Sequence, residues 1–254
     1  MGYTKALGRV LSNRPIADGI YDMTVRTPQA AAASIGQFMQ IYCEGKTLRR
    51  PISICEFDPA AETIRMVYLV KGEGTCWMST LPEGAAIDLL GPLGHGFSLE
   101  KAERPVVIGG GIGTPPMLGV AKAASGKAEA ILGFKNRGAV ILEPDFEKVC
   151  AGVFVATDDG SYGEKGFVTD ILSARVASAG YDLILACGPI PMLKAVAAVA
   201  EQFNLPCQVS LEERMGCGIG ACVGCVCKVR DGENVRHAQV CRYGPVLNAK
   251  EVVW

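Results

Sequence analysis

The sequence is poor in histidine and contains no long apolar run. Only His95 and His237 occur among the 254 residues, which excludes a His-rich metal site, and no G-x-S-x-G motif indicates a serine hydrolase. The longest uncharged stretches, 27–43 and 105–121, are too short and too interrupted to span a bilayer. The first residues lack the apolar core of a signal peptide. We therefore expect no association with a membrane.

The chain also lacks an excess of charge of either sign. Its 25 basic and 26 acidic residues leave a formal net charge of −1, which does not favour nucleic acid or an anionic membrane as a partner. The eleven cysteines are odd in number, and a chain of this length does not need disulfides for stability. These observations favour a protein of the reducing cytoplasm.

Three successive regions of the chain differ in pattern. Residues 1–101 contain short apolar runs, among them Ile52–Phe57, separated by turn signals, and each run is predicted as a strand of an antiparallel β-barrel or sandwich with one short helix over residues 75–81. Residues 102–206 alternate strand and helix patterns, which predicts an α/β domain with a mostly parallel sheet. Residues 207–254 are predicted to form a small separate module, with a candidate last strand of the α/β sheet over residues 208–211 and a hairpin across Asp231-Gly232. The predicted fold class is multidomain, β followed by α/β.

Two segments of the first region are candidates for binding a phosphorylated cofactor. In Arg49-Arg50-Pro51-Ile52-Ser53 the guanidinium groups suit a pyrophosphate, and the serine hydroxyl suits a ring nitrogen. In residues 71–79 a glycine-rich turn containing Gly74 leads into the short helix, where free amides suit phosphate. The alternatives are a solvated basic turn and an ordinary helix N-terminus capped by Thr75.

The α/β region has its own candidate nucleotide site. Gly109-Gly110-Gly111-Ile112-Gly113 follows an apolar strand and precedes a helix, but it is not a complete G-x-G-x-x-G fingerprint. Cys187-Gly188-Pro189 and Asp158 follow two other predicted strands, so they share the same rim of the sheet, where ligands bind. We predict that Cys187 lies beside a nicotinamide ring and that Asp158 binds a ribose. The alternatives are a bare strand-to-helix turn, a small buried cysteine and a turn-capping aspartate.

The most specific motif is a cysteine cluster near the C-terminus. Cys217, Cys222 and Cys225 have the C-x4-C-x2-C spacing of plant-type [2Fe–2S] proteins. Four interspersed glycines allow the loop to wrap closely, and Cys241 supplies a fourth thiol. A four-cysteine zinc site and unligated buried thiols are the alternatives. In a strand that begins near Val226, the side chain of Cys227 lies on the opposite face from that of Val226. We therefore expect Cys227 not to be a ligand.

The order of barrel and nucleotide domain resembles the ferredoxin–NADP reductase superfamily. Arg50-Pro-Ile-Ser53 is similar to its flavin-binding R-x-Y-S segment, with Ile52 in place of the aromatic residue. The superfamily's second contact with the flavin phosphate is similar to Gly74-Thr75. Its nicotinamide-nucleotide loop is similar to Gly109–Gly113, and its C-G-P signature is similar to Cys187-Gly-Pro189. The run from Leu211 to Lys228, with Cys241-Arg-Tyr-Gly-Pro245, resembles the electron-transfer subunits of class 1B dihydroorotate dehydrogenases.

This resemblance implies FAD, a [2Fe–2S] cluster and NAD(H) as cofactors. The implied partner is an FMN-containing dihydroorotate dehydrogenase catalytic subunit, in a heterotetramer with two copies of each subunit. The metal ligands it implies are Cys217, Cys222, Cys225 and Cys241. The cofactor-binding residues it implies are Arg50, Pro51, Ile52, Ser53, Tyr68, Leu69, Val70, Gly74, Thr75, Gly109, Gly110, Gly111, Ile112, Gly113, Asp158, Cys187, Gly188 and Pro189.

Two other functions are compatible with the sequence. The nearer is the electron-transfer subunit of another flavin and iron–sulfur oxidoreductase, of the ferredoxin:NADP or sulfide dehydrogenase-like type. The further is a zinc-stabilised binding module without redox activity. Visible absorption separates these, because flavin and [2Fe–2S] clusters are coloured and zinc is not.

Overall fold

The computed structural model describes residues 3–254 and contains two seven-stranded sheets and a hairpin. The first sheet is antiparallel, with strand order β4-β3-β7-β1-β2-β6-β5. Its strands are β1 (Thr4–Ala17), β2 (Ile20–Arg26), β3 (Phe38–Ile41), β4 (Arg50–Ser53), β5 (Glu56–Asp58), β6 (Thr63–Leu69) and β7 (Ala86–Leu93). The predicted β-rich first region is confirmed.

The first sheet is curled into a barrel by its own connectivity. Strands β4 and β5 lie at its two opposite edges, yet only Ile54 and Cys55 separate them in sequence. The two edges must therefore approach each other, because Ile54 N donates to Gln37 O (2.9 Å) beside β3 and the next amide, Cys55 N, donates to Arg65 O (2.9 Å) on β6. Apolar side chains such as Met39 and Ile41 fill the interior. A curled sheet protects its edges and buries one face without a second layer.

Two local predictions in this region were wrong. The run Ile52–Phe57 was predicted as one strand, but it divides into β4 and β5 because the chain turns there from one sheet edge to the other. The short helix, α1 (Glu73–Ser79), begins before Thr75, with Gly72 at its N-cap. Thr75 therefore lies inside the first turn, where its Oγ1 accepts hydrogen bonds from the amides of Lys71 (2.9 Å) and Gly72 (3.2 Å).

The second sheet is parallel except at one edge, with strand order β11-β10-β9-β8-β12-β13-β16. Its strands are β8 (Pro105–Gly110), β9 (Glu129–Phe134), β10 (Gly152–Thr157), β11 (Glu164–Lys165), β12 (Leu183–Cys187), β13 (Cys207–Ser210) and β16 (Val246–Asn248). The helices of this domain are α2 (Thr114–Ala123), α3 (Glu143–Glu147), α4 (Val168–Ala179) and α5 (Ile190–Gln202). Strands β8 and β12 are almost wholly buried, as expected for a parallel sheet covered on both faces. The predicted α/β domain is confirmed.

The C-terminal module is not separate from the second sheet. Strand β13 is the first part of the predicted module, and β16 from the tail pairs with it in antiparallel register, Gln208 opposite Asn248. The sheet thus crosses the boundary predicted between residues 206 and 207. The hairpin β14 (Val226–Asp231) and β15 (Asn234–Gln239) and a short helix, α6 (Val240–Tyr243), complete the module. The expected hairpin is confirmed.

Charged side chains join the barrel to the α/β domain. Arg65 on β6 binds Asp22 (2.7 Å) and Glu56 (2.7 Å) of the barrel and also Asp145 (3.0 Å) on α3. Glu56 additionally binds Lys122 (3.1 Å) on α2. These bonds fix how the two domains are placed against each other. Across residues 3–254, no helix has the length and apolar character needed to cross a bilayer.

Candidate functional site

A cleft of about 610 Å³ lies where the barrel, the α/β domain and the C-terminal module meet. All three parts of the chain contribute to its walls. The lining residues are Phe38, Arg50, Pro51, Ile52, Ser53, Val67, Tyr68, Leu69, Lys71, Gly72, Thr75, Gly110, Gly111, Ile112, Gly113, Cys187, Gly188, Pro189, Ser210, Leu211, Glu212, Glu213, Met215 and Pro245. A cleft of this size is suited to a cofactor of several rings and phosphates.

The two neighbouring arginines have different surroundings. Arg49 is held by Asp88 (2.8 Å) and also donates to the carbonyl oxygens of Gln40 and Asp88. Arg50 lines the cleft, and within residues 3–254 no acidic side chain forms an ion pair with it. Gly74 packs against its guanidinium so closely that a Cβ there would lie 2.8 Å from Arg50 Cζ. Its Nη1 donates to Leu48 O, so Arg50 keeps its charge and its remaining donors for an anion in the cleft.

The end of β6 forms another part of the barrel wall. Tyr68 is buried and donates a hydrogen bond from its hydroxyl to Asn13 Oδ1 (3.0 Å). Burial raises the pKa of this hydroxyl, so it is a neutral donor at every physiological pH. Leu69 lines the cleft, whereas Val70 bonds to Gly19 O (2.8 Å) and does not reach the wall.

The glycine loop after β8 faces the barrel wall from the α/β side. Gly113 lies against the end of β12, and a Cβ on it would be 2.5 Å from Cys187 O. Gly110 packs on Met192 in the same way. These close approaches bring residues 110–113 and 187–189 to one rim, as predicted from the strand ends. Gly109 is buried behind them, against Thr114.

Cys187 lies at this rim with a protonated thiol. Burial raises its pKa to about 12, although a hydrogen bond with Ser210 opposes the shift. A thiol with this pKa is uncharged near neutral pH and is a poor nucleophile. Cys187 therefore contributes a small neutral surface to the cleft.

A second cavity of about 440 Å³ adjoins the cleft and shares Gly110, Gly111 and Pro189 with it. Its other walls come from the ends of β9 and β10, the start of α4 and the start of α5. Asp158 and Lys135 are its charged lining residues. The cavity therefore offers a carboxylate and an ammonium group beside an apolar surface.

The four predicted ligand cysteines form two neighbouring pairs. Cys222 N donates to Cys217 Sγ (3.3 Å), and Cys241 N donates to Cys225 Sγ (3.5 Å). Gly220 N donates to Cys241 Sγ (3.2 Å). In residues 3–254 no three His, Cys, Asp or Glu side chains converge on one point as a single metal ion requires. Two pairs of thiols with amides directed at the sulfurs fit two irons better than one zinc.

The backbone of the loop prepares one of these sulfurs for metal binding. Burial tends to raise the pKa of Cys217, but the amides of Ile219, Cys222 and Ala221 and the Cys222 thiol together lower it to about 7. Thiolates are the form that binds iron. Gln239 holds the loop closed, because its Nε2 donates to the carbonyl oxygens of Gly220 and Cys222, both at 3.1 Å.

Cys227 has a hydrogen-bond partner within the hairpin. It lies on β14 opposite Ala238, and its thiol donates to Ala238 O (3.6 Å). Burial raises its pKa above the usual thiol value. That Cys227 is not a ligand stays a prediction, and its bond to Ala238 O gives the thiol a partner other than a metal.

The structure thus gathers most of the predicted site residues into two adjoining cavities and one loop. Val70, Gly74 and Gly109 lie behind the walls. Sequence reasoning missed the contribution of the C-terminal module to the cleft, from Ser210 to Met215 and at Pro245, and the Phe38 wall. Adjacency of residues 211–215 to the cysteine motif was the one signal that pointed to this segment.

The comparisons with known proteins agree with this geometry. Residues 212–253 match the family model described as the iron–sulfur cluster binding domain of dihydroorotate dehydrogenase B. A dihydroorotate dehydrogenase B (NAD(+)) electron transfer subunit from Caldanaerobacter subterraneus is 42% identical over 98% of this chain and 99% of the relative. The subunit of that name from Streptococcus mutans is 41% identical over 96% of each chain.

A solved structure shows the same architecture over nearly the whole chain. It belongs to work on an NADH-dependent reduced ferredoxin-NADP oxidoreductase, with a TM-score of 0.87, 29% identity and coverage of 98% of this chain and 90% of that one. An Amycolatopsis cytochrome P450 reductase, 20% identical with a TM-score of 0.69, shares the fold over 80% of this chain and 67% of the other. Since full-length relatives exceed 40% identity, the chain belongs to the family of dihydroorotate dehydrogenase B (NAD(+)) electron transfer subunits.

Proposed function

We propose that the protein carries electrons between NAD(H), FAD and a [2Fe–2S] cluster and the FMN of a partner dihydroorotate dehydrogenase subunit, which interconverts dihydroorotate and orotate in pyrimidine synthesis. The observation that carries this proposal is the single cleft lined by the barrel, the glycine loop and the segment leading into the cysteine loop. Family membership supports the same assignment. The chain is therefore an oxidoreductase subunit that acts with a catalytic partner.

The barrel wall holds FAD in the cleft. Arg50, free of ion pairs within residues 3–254, neutralises the pyrophosphate together with the turn at Gly74 and Thr75. Ser53 and the backbone of Pro51 and Ile52 orient the isoalloxazine ring. Since Ile52 replaces the aromatic residue of the wider superfamily, apolar contact rather than stacking covers the ring at this position.

The second cavity would hold NAD(H), and the two cofactors would meet at Gly110, Gly111 and Pro189, which line both cavities. Gly111 leaves room for the dinucleotide, because a Cβ there would point into open space, whereas Gly110 and Gly113 let the loop pack against Met192 and Cys187. Asp158 accepts hydrogen bonds from a ribose, and Cys187 to Pro189 limit the position of the nicotinamide. When bound, FAD supplies the chemistry that converts two-electron hydride transfer into single-electron transfer, and the cluster supplies a relay for single electrons.

The cysteine loop holds the cluster through Cys217, Cys222, Cys225 and Cys241. Cys225 and Cys241 are buried, at 1% and 3% exposure, whereas Cys217 and Cys222 are half-buried. Val223, next to Cys222, is 78% exposed. The loop therefore has an inner side toward the protein core and an outer side toward solvent, and we place the contact with the partner on the outer side. The assembly is a heterotetramer in the cytoplasm.

The test is the visible spectrum of anaerobically purified protein before and after NADH, with iron and zinc measured on the same sample. Flavin and iron–sulfur absorption that bleaches with NADH, at about two irons per chain, is the expected result. A colourless protein with one zinc would refute the proposal. Arg50→Gln should lower the FAD content, whereas Arg26→Gln, at an exposed arginine that does not line the cleft, should retain it.

A second candidate is an electron-transfer subunit of another flavin and iron–sulfur oxidoreductase. The structural similarity to a chain from NADH-dependent reduced ferredoxin-NADP oxidoreductase over 98% of this chain favours it. The two candidates differ in the partner. Co-expression with an FMN-containing dihydroorotate dehydrogenase subunit should give a stable complex with NAD-dependent orotate formation. Reduction of ferredoxin or NADP without such a complex would favour the second candidate.

A further inference from the structure

Strand β3 is a barrel strand that lies beside the cysteine loop, and it is buried on both of its faces. Met39 and Ile41 point into the barrel core. Phe38 belongs to a different apolar cluster, which also contains Cys225 and Cys241 of the loop. By the alternation of a strand, Gln40 points to the same side as Phe38. A polar side chain thus stands between the flavin-binding barrel and the predicted cluster ligands.

The side-chain amide of Gln40 is unpaired. Gln40 is 0% exposed, and in the described part of the chain neither its Nε2 nor its Oε1 has a hydrogen-bond partner. The neighbouring buried glutamine, Gln37, is fully paired, since its Oε1 accepts from Ser34 N (2.9 Å) and its Nε2 donates to Gly94 O (2.8 Å). A buried unpaired amide costs stability, and an apolar side chain of that shape does not. The amide at Gln40 therefore requires a partner that the polypeptide alone does not supply.

The cysteine loop lies directly against this amide. Gly218 is buried between Cys217 and Cys222 and has a φ of +72°. A Cβ on Gly218 would fall onto Gln40 Nε2 and lie 2.8 Å from Gln40 Cγ. The loop can make this approach because residue 218 has no side chain. Hence Gln40 Nε2 approaches the loop from the barrel side. The amides of Gly220, Cys222 and Cys241, in contrast, donate hydrogen bonds to the sulfurs from within the C-terminal module.

We propose that Gln40 is a positioning residue of the iron–sulfur site, whose Nε2 donates a hydrogen bond to a sulfur of the loaded loop and raises the reduction potential of the cluster. The inference rests on the cluster part of the proposed function. Reduction adds negative charge to a cluster, and hydrogen bonds to its sulfurs stabilise that charge. Gln40 thereby favours electron transfer from the barrel side toward the cysteine loop.

The experiment uses the full-length protein with its cofactors assembled anaerobically. Iron per chain is measured first, because a wild-type protein without iron refutes the proposed function independently of Gln40. The cluster potential is then determined by redox titration followed by electron paramagnetic resonance. Gln40→Leu should move the potential to a more negative value and change the resonance of the reduced cluster. The matched control, Gln37→Leu, removes two barrel hydrogen bonds and should lower stability while leaving the potential unchanged.

An unchanged potential and resonance in iron-replete Gln40→Leu would overturn the inference. Loss of the cluster from Gln40→Leu with flavin content and unfolding temperature preserved would support it. If Gln40→Leu loses flavin as well, Gln40→Glu decides the matter. Glutamate has nearly the same shape but brings an acceptor and negative charge, so its cluster potential should fall below wild type. A wild-type potential in Gln40→Glu would refute the contact.

Discussion

Replacing Arg65 with methionine should destabilise the joint between the barrel and the α/β domain. Arg65 binds Asp22, Glu56 and Asp145 at 2.7, 2.7 and 3.0 Å, and the four side chains are only 20–30% exposed. Removing one partner of a buried ion pair costs about 3–5 kcal/mol. Because these groups keep some contact with water, we expect the lower end, about 3 kcal/mol of unfolding free energy at pH 7.

The loss should depend on pH in a defined direction. Burial tends to raise the pKa of Asp145, but the bonds from Arg65 and Lys148 outweigh it and hold the pKa below its usual value. A carboxyl with a lowered folded pKa adds stability above its unfolded pKa, about 3.9, and that stability is lost as pH falls through the folded value. Without Arg65 the Asp145 carboxylate faces those of Asp22 and Glu56 unshielded, so protonation of Asp145 relieves the variant. Its deficit should therefore be smaller at pH 5 than at pH 7.

Urea denaturation of the holoprotein at both pH values measures this effect. The control is Asp145→Asn, which removes the carboxylate contributed by α3 but leaves Arg65 paired with Asp22 and Glu56. We expect it to cost about 1 kcal/mol, the usual worth of a partly exposed ionic hydrogen bond. A loss below about 1 kcal/mol for Arg65→Met, or a deficit that grows at pH 5, would show that the joint does not depend on this network.

Three further predictions concern the cofactor sites. Cys222→Ser should remove or weaken the cluster, as measured by iron content. The rate of NADH oxidation, measured with a dye that accepts electrons from the flavin, should stay within about twofold of wild type. Full electron delivery to the partner by this variant would contradict the relay. Gly113→Ala should lower kcat/KM for NADH at least about tenfold, because its Cβ would lie 2.5 Å from Cys187 O; an unchanged value would place the nicotinamide elsewhere. Asp158→Asn should raise the KM for NADH by about tenfold with a smaller effect on kcat, and an unaltered KM would remove Asp158 from the ribose site.

Much of the redox site could be predicted from local sequence. Cys217, Cys222 and Cys225 are close in the chain, and the glycines between them make a tight loop whatever the rest of the protein does. The structure then shows amides directed at the sulfurs and two pairs of cysteines. Likewise the glycine run at 109–113 follows an apolar strand, and a strand-to-helix turn is itself a local feature. Short-range spacing and backbone freedom are sufficient for such motifs.

Other features depended on contacts between distant segments. Arg49 and Arg50 are equivalent in the sequence, but strand β4 brings one to Asp88 and the other to the cleft. Ile52–Phe57 is a mostly apolar run that divides because the barrel edges meet there. Strand β16 is only three residues long, and its place at the edge of the second sheet follows from pairing with β13. None of these outcomes has a local cause.

The sequence by itself determined the type of each domain, the cysteine loop and the positions of the turns proposed to bind phosphate, because these follow from periodicity, glycine and cysteine spacing. Only the tertiary structure decided which side chains share a cavity. Gln40 illustrates the difference: within Phe38–Ile41 it is an isolated polar residue in an apolar strand, and nothing nearby in sequence gives it a role. Its burial against Gly218, 178 positions later in the chain, arises because the packing of barrel and C-terminal module brings the two segments together.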